Sequence, residues 1–247
     1  MERLYHGDCI EILPTIKTNP EETVIITSPP YNMNLRVGRP KAGYKARGFE
    51  NSSSELIATK YKNYRDDLPM EVYYTFQKRF LTLALEKAHL IFYNIQAITG
   101  NKVALFKLIG DFAENIKEIV IWDKCHGQPA VKDGCLNSRF EFLLILAQDG
   151  SRRRFENALF KRGTLDNLWE IRTGRHKGAK AGFPEEFVKK IITNFVDEKN
   201  TIIDPFVGSG TTGLVCKKLG YDFIGIEKDK ETYDYALMRI KEDGSVE

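Results

Sequence analysis

Several things are missing from this sequence. No apolar run approaches the ~20 residues that cross a bilayer, and the start, Met1-Glu2-Arg3-Leu4-Tyr5-His6-Gly7-Asp8, has no apolar signal-peptide core. The chain therefore reads as a cytoplasmic protein with no membrane partner. Cysteine is sparse: Cys9, Cys125, Cys135 and Cys216 are scattered, with no Cys-x-x-Cys pair. They read as free thiols, not as a disulfide framework or a metal site. There is no internal repeat and no low-complexity tail. Overall charge is also nearly absent, at +3 over 247 residues.

That small net charge hides an uneven distribution. Residues 36–65 carry eight basic and two acidic side chains, and residues 152–180 carry nine and three. The rest of the chain is therefore acidic, and two basic islands on such a body suggest contact with a polyanion. The candidates are Arg36, Arg39, Lys41, Lys45 and Arg47 in the first island, with Arg152, Arg153, Arg154, Arg175 and Lys177 in or beside the second.

Short apolar runs at 23–27, 89–93, 118–122, 140–146, 201–203 and 222–226 alternate with helical patterns at 70–87, 100–114, 184–197, 210–219 and 230–242. This rhythm predicts an open, doubly wound α/β domain whose strands are buried and mostly parallel. Two stretches interrupt it. Residues 32–67 are rich in Gly, Ser, Asn, Lys and Arg and exceed an ordinary βα loop, so a mobile basic loop is expected there. Residues 149–182 carry turn signals and basic residues around an apolar cluster of Leu165, Leu168 and Trp169, and the second excursion is placed at 149–175. The expectation is one catalytic domain over 1–247 with these two excursions.

Two motifs carry chemistry. Asp204-Pro205-Phe206-Val207-Gly208-Ser209-Gly210-Thr211-Thr212-Gly213 follows a strand and opens a helix, and Glu227 ends the next strand. Glycines let a backbone turn tightly against a nucleotide cofactor, and the later carboxylate grips ribose hydroxyls. A dinucleotide pyrophosphate would be repelled by Asp204, whereas the ammonium of a methionine moiety suits it. The second motif, Thr27-Ser28-Pro29-Pro30-Tyr31-Asn32, stands at the carboxyl end of the first apolar strand, where open α/β sheets bind ligands. Consecutive prolines make a stiff corner with outward carbonyls. Ser28 Oγ and the Pro29 carbonyl can accept the two N–H hydrogens of an exocyclic amino group, directing its lone pair at an electrophile. Tyr31 can stack on a base drawn out of a helix.

Together these motifs resemble the amino-methyltransferases of DNA, in the permuted class called β, whose Ser/Asp/Asn-Pro-Pro-aromatic corner precedes the cofactor loop. The resemblance covers nearly the whole chain outside the two excursions. It implies a seven-stranded sheet with one antiparallel strand, with Asn137-Ser138-Arg139-Phe140-Glu141 preceding that strand. It also implies S-adenosylmethionine as cofactor, held by Asp8, Cys9, Thr27, Phe183, Asp204, Phe206, Gly208, Ser209, Gly210, Thr211, Thr212, Glu227 and Lys228. Asp8 would contact the adenine and Phe183-Pro184 would close over the methionine end. Ser28, Pro29, Pro30 and Tyr31 would be catalytic, on a base flipped from double-stranded DNA. Within restriction-modification systems such enzymes can accompany a cognate endonuclease, and many relatives form homodimers.

Ser28 at the head of the corner favours cytosine N4 over adenine N6 by family habit. An NAD-dependent oxidoreductase would account for the glycines and Glu227 but leave Ser28 to Tyr31 unexplained. RNA or protein methyltransferases with a similar corner usually place the cofactor loop before it. Methylation at cytosine C5 needs a thiolate after proline, and no Pro-Cys pair exists.

Overall fold

The structure, a computed structural model, describes residues 2–33, 66–128, 133–156, 158–173 and 183–242. Among these residues eight strands form one sheet: β1 (Glu2–His6), β2 (Thr23–Thr27), β3 (Leu90–Ile95), β4 (Ile116–Gln128), β5 (Ser138–Leu146), β6 (Leu168–Glu170), β7 (Thr201–Asp204) and β8 (Asp222–Glu227). Their spatial order is β1-β8-β7-β2-β3-β5-β4-β6. All pairings are parallel except those of β5, which runs antiparallel to both β3 and β4.

One reversed strand agrees with expectation, but the strand count is eight and not seven. β6 has three residues, too few to show any period in sequence, yet it pairs with Ile121–Asp123 and buries Trp169. β1 is the other strand without a sequence signature. It lies at the sheet edge with mostly exposed side chains, so no apolar alternation marks it. The expected apolar runs became strands because both faces of the sheet are covered. β2 and β3 are buried at every position.

Among the described residues six α-helices cover the sheet: α1 (Cys9–Ile12), α2 (Met70–Lys87), α3 (Lys102–Asp111), α4 (Glu185–Phe195), α5 (Thr211–Leu219) and α6 (Lys230–Glu242). The first three pack one apolar layer, which includes Phe80, Leu81, Leu105 and Leu108. The others pack the opposite layer through Phe187, Ile191, Val215 and Ile240. Truncating a fully buried anchor such as Phe187 to Ala would cost about 3–5 kcal/mol. On α2 the buried face is Tyr73, Gln77, Phe80, Leu81 and Ala84. Tyr74, half-buried, packs against the same layer and also bonds Asp111. The chain leaves β2 towards β3 and returns to β7 on the other side of β2, so the β2–β7 boundary is the switch point where open sheets bind ligands.

Candidate active site

At that boundary the two motifs meet. Thr27, the last residue of β2, donates from Oγ1 to Asp204 Oδ1 at 2.7 Å. Asp204, the last residue of β7, also accepts from the Phe206 amide at 3.1 Å and, on Oδ2, from Thr212 Oγ1 at 2.7 Å. Burial pushes its carboxyl up to about 6, against the lowering influence of the two hydroxyls and the amide. A contact between residues 177 positions apart thus joins the Ser-Pro-Pro corner to the glycine-rich turn.

Gly208 and Gly210 both take left-handed φ values, 53° and 82°, and a Cβ on Gly210 would approach Ala236 to 3.2 Å. These are positions where a side chain is strained. Glu227 fastens the turn from the next strand: Oε2 accepts from the Gly208 amide at 2.9 Å, and Oε1 from the Asp229 amide at 2.9 Å. Burial raises its carboxyl, and these amides pull it down. Pairing of β1 with β8 brings His6 level with Glu227, and so sets Asp8 beside the turn. Asp8 caps α1 through the Ile10 amide, 2.9 Å, and pairs with Lys228 at 2.9 Å. A groove of about 600 Å³ opens beside Asp8, walled by Ile10 and Phe76 among others.

The remaining assigned residues divide by direction. Phe206 lies edge-on to Phe80, with ring centroids 4.9 Å apart. Ser209 and Thr211 are buried and turned towards α6, where Arg239 donates to the Ser209 carbonyl at 3.0 Å and to Thr211 Oγ1 at 3.1 Å. Cys9 is buried in the apolar layer, where desolvation pushes its thiol far up. Phe183 is also buried, stacked on Phe187 at 5.1 Å in the opposite layer.

The corner is held from beneath. Tyr73 donates to the Pro30 carbonyl at 2.9 Å, and Gln77 reaches the same oxygen at 3.4 Å. That carbonyl is one peptide beyond the Pro29 carbonyl assigned to the base. Asn32, left-handed at φ 56°, donates to the carbonyls of Leu68 and Gly100 and accepts from the Leu68 amide. The chain therefore departs from and returns to one point beside the corner. The Tyr31 hydroxyl contacts Ser28 Oγ at 2.9 Å, Asn94 Oδ1 at 3.0 Å and Glu141 Oε2 at 2.7 Å. Burial, then the Glu141 charge, holds this phenol well above its usual range.

Residues 23–238 match the family profile of the N6/N4 DNA methylases, nearly nine-tenths of the chain. The chain belongs to this family. Among curated relatives, the Type II methyltransferase M2.LlaDCHI of Lactococcus lactis subsp. cremoris is 26% identical, over 96% of this chain and 88% of that protein. M.HinfI of Haemophilus influenzae is 25% identical over 98% and 69%. In fold, the cytosine-N4-specific PvuII DNA methyltransferase superposes with a TM-score of 0.70 at 16% identity, covering 96% of this chain and 86% of that one. A putative DNA modification methylase from Thermus thermophilus, solved with S-adenosyl-L-methionine, gives 0.63 at 15% identity, covering 98% and 94%.

The methylase does not bring all its basic candidates to this site. β5 is antiparallel, so its end, Leu146, lies level with the start of β4, Ile116. The segment that follows stays at that amino edge, where the Gly150 amide bonds the Glu114 carbonyl at 3.0 Å. Arg152, Arg153 and Arg154 are exposed there, and Arg153 Nε donates to Glu118 at 3.0 Å. The Ser-Pro-Pro-Tyr corner stands at the opposite, carboxyl edge. Arg36, Arg39, Lys41, Lys45, Arg47, Arg175 and Lys177 lie outside the described residues, as do 34–65 of the basic loop.

No sequence motif marks Gln77, Asn94, Lys124 or Arg239, and Glu141 stands only inside the segment that resembles the family's. A polar residue within or just beyond an apolar run was the available signal. Gln77 interrupts the buried face of α2, and Asn94 extends the run 89–93.

Proposed function

We propose that this DNA methylase transfers a methyl group from S-adenosylmethionine to the exocyclic amino group of a base flipped out of double-stranded DNA, with cytosine N4 favoured. The observation that carries the reading is the Thr27–Asp204 hydrogen bond at 2.7 Å, which sets the amino-group corner against the cofactor turn.

The residues present fit the cofactor. A carboxylate offers about four lone-pair sites. The Glu227 bonds to the Gly208 and Asp229 amides use two, leaving acceptors for ribose hydroxyls. Three bonds occupy Asp204, leaving one acceptor for an ammonium. Glycine at 208 leaves open the space where a Cβ would stand, and glycine at 210 lets the turn pack closely on Ala236 of α6. Bound there, S-adenosylmethionine would supply an electrophilic methyl group, with neutral S-adenosylhomocysteine as the leaving group. On the protein side, Ser28 Oγ and the Pro29 carbonyl accept the two amino hydrogens and aim the lone pair. The Tyr31 ring stacks on the base. The methylated nitrogen then releases one proton to water, so no strong base is needed.

Cytosine N4 rests on Ser28 at the head of the corner. Adenine N6 is the second reading, because Ser28 and the Pro29 carbonyl would serve its amino group equally. The test is nucleoside mass spectrometry on DNA incubated with the protein and S-adenosylmethionine. N4-methylcytosine is expected. N6-methyladenine alone would overturn the cytosine assignment, and no methylated base at all would overturn the reading. Protection of the same DNA from digestion by an endonuclease of matching specificity would extend it to restriction-modification.

A further inference from the structure

Beneath the corner lies an ion pair in an unusual place. Lys124 of β4 and Glu141 of β5 meet at 3.1 Å, with side chains only 6% and 10% exposed. Withdrawing two charges from water is costly, and apolar side chains would often stabilise such a position as well. Stability therefore gives little reason for the pair, but its position does. Glu141 Oε1 takes Lys124, and Oε2 takes the Tyr31 hydroxyl at 2.7 Å.

Tyr31 has one hydroxyl proton to place among Ser28, Asn94 and Glu141. The ion-paired carboxylate has no proton to give and accepts only, and a charge-assisted bond is the strongest of the three. Asn94 donates from Nδ2 to the Phe142 carbonyl at 3.0 Å, so its oxygen faces Tyr31 as another acceptor. The Tyr31 proton is thus committed to Glu141. The contact of 2.9 Å between Ser28 Oγ and Tyr31 can then be made in one sense only, with Ser28 as donor.

We propose that Glu141, held by Lys124, acts through Tyr31 to make the Ser28 hydroxyl an obligate acceptor towards the base. With its own proton turned inward, Ser28 Oγ presents only lone pairs to the pocket. Those lone pairs receive an amino N–H and repel a carbonyl oxygen, so the chain selects bases bearing an amino group over thymine or uracil at this position. Glu141 and Lys124 are positioning residues, and Ser28 is the group that touches substrate. The inference rests on the proposed methyl transfer to an amino group.

Steady-state methylation by the full chain tests it, with melting temperature and S-adenosylhomocysteine affinity measured on each variant. Tyr31→Phe and Glu141→Gln are each expected to lower kcat by roughly tenfold to a hundredfold, with cofactor affinity unchanged. Glu141→Gln added to Tyr31→Phe should lower it less than twofold further, since both cut one chain. The neutral double variant Glu141→Gln/Lys124→Met removes the unpaired lysine and should stay as slow as Glu141→Gln. Tyr31→Phe within twofold of wild type, a double variant restored to the wild-type rate, or additive losses would overturn the inference. Wild-type protein that methylates no DNA would instead overturn the function on which it rests.

Discussion

The glycine-rich turn and the Ser-Pro-Pro-Tyr corner adjoin, but they are held in opposite ways. The turn is fastened mostly by near neighbours in sequence, apart from Thr27: Phe206 and Thr212 bond Asp204, and Glu227 reaches back 19 residues to Gly208. The corner is fastened from afar, by Tyr73 and Gln77 on α2 and by Glu141, 110 residues beyond Tyr31. A locally fastened site is written almost entirely in its own motif. A remotely fastened one depends on residues that its motif does not name.

Substitution at the reacting group should separate the two most sharply. On the proposed mechanism Ser28→Ala removes the hydroxyl that would accept the amino hydrogen, while Thr27 keeps its bond to Asp204. Turnover is expected to fall by about 10²–10³, the usual loss for one preorganised polar group at a reacting centre. Affinity for S-adenosylhomocysteine by calorimetry should stay within about twofold, because the hydroxyl is proposed to act on the base. A parallel loss of cofactor affinity would show that the corner and the turn are one unit.

Asp204 is the joint between them, and pH reads it directly. Its folded carboxyl stands at about 6, above the ordinary value of 3.8, because burial disfavours the charge. A raised carboxyl contributes stability that is fully present below the ordinary value and lost as pH rises through the folded one. Relative to Asp204→Asn, which does not titrate there, the unliganded wild type should therefore lose about 3 kcal/mol between pH 3.8 and 7. Urea unfolding across that range measures it. S-adenosylhomocysteine should bind more tightly over the same rise, since its ammonium favours the ionised carboxylate. A stability difference independent of pH would remove the burial argument.

A smaller effect belongs to the turn itself. Glu227→Ala deletes the proposed ribose acceptor and releases the Gly208 amide. Cofactor affinity should weaken roughly tenfold, the equivalent of one charged hydrogen bond. Turnover at saturating cofactor should change less. An unaltered affinity would take Glu227 out of the site.

How much of this was legible follows from the same contrast. The buried runs of β2, β3, β7 and β8 and the helices α2 to α6 appear in sequence because continuous apolar stretches and 3.6-residue periods survive without partners. Asp204, Gly208, Gly210 and Glu227 were readable because their spacing is short and chemical. β6 was not, since three residues carry no period. Lys124 was not, because only the reversal of β5 places Glu141 between it and Tyr31; Asn94, which touches Tyr31 directly, stands one residue past its apolar run and carries no motif of its own. Strand direction is a property of topology, not of composition.

Direction also decides the last and smallest effect. Arg152, Arg153 and Arg154 form the densest basic cluster in the chain, and charge alone nominated them to hold phosphates. A phosphate-gripping trio would give DNA binding a steep salt dependence that flattens when the arginines are removed. Yet β5 delivers its end to the amino edge of the sheet, and Arg153 is already paired with Glu118 there. Beyond a Debye length of roughly 8 Å at physiological salt, exposed charges lose most of their influence, and these stand across the sheet from the corner. The triple replacement by Ala should therefore change methylation rate by less than about twofold and leave the salt slope close to that of the wild type. A slope reduced by about three phosphate contacts would mean that DNA wraps around to the amino edge, and the division of labour between the two edges would fall.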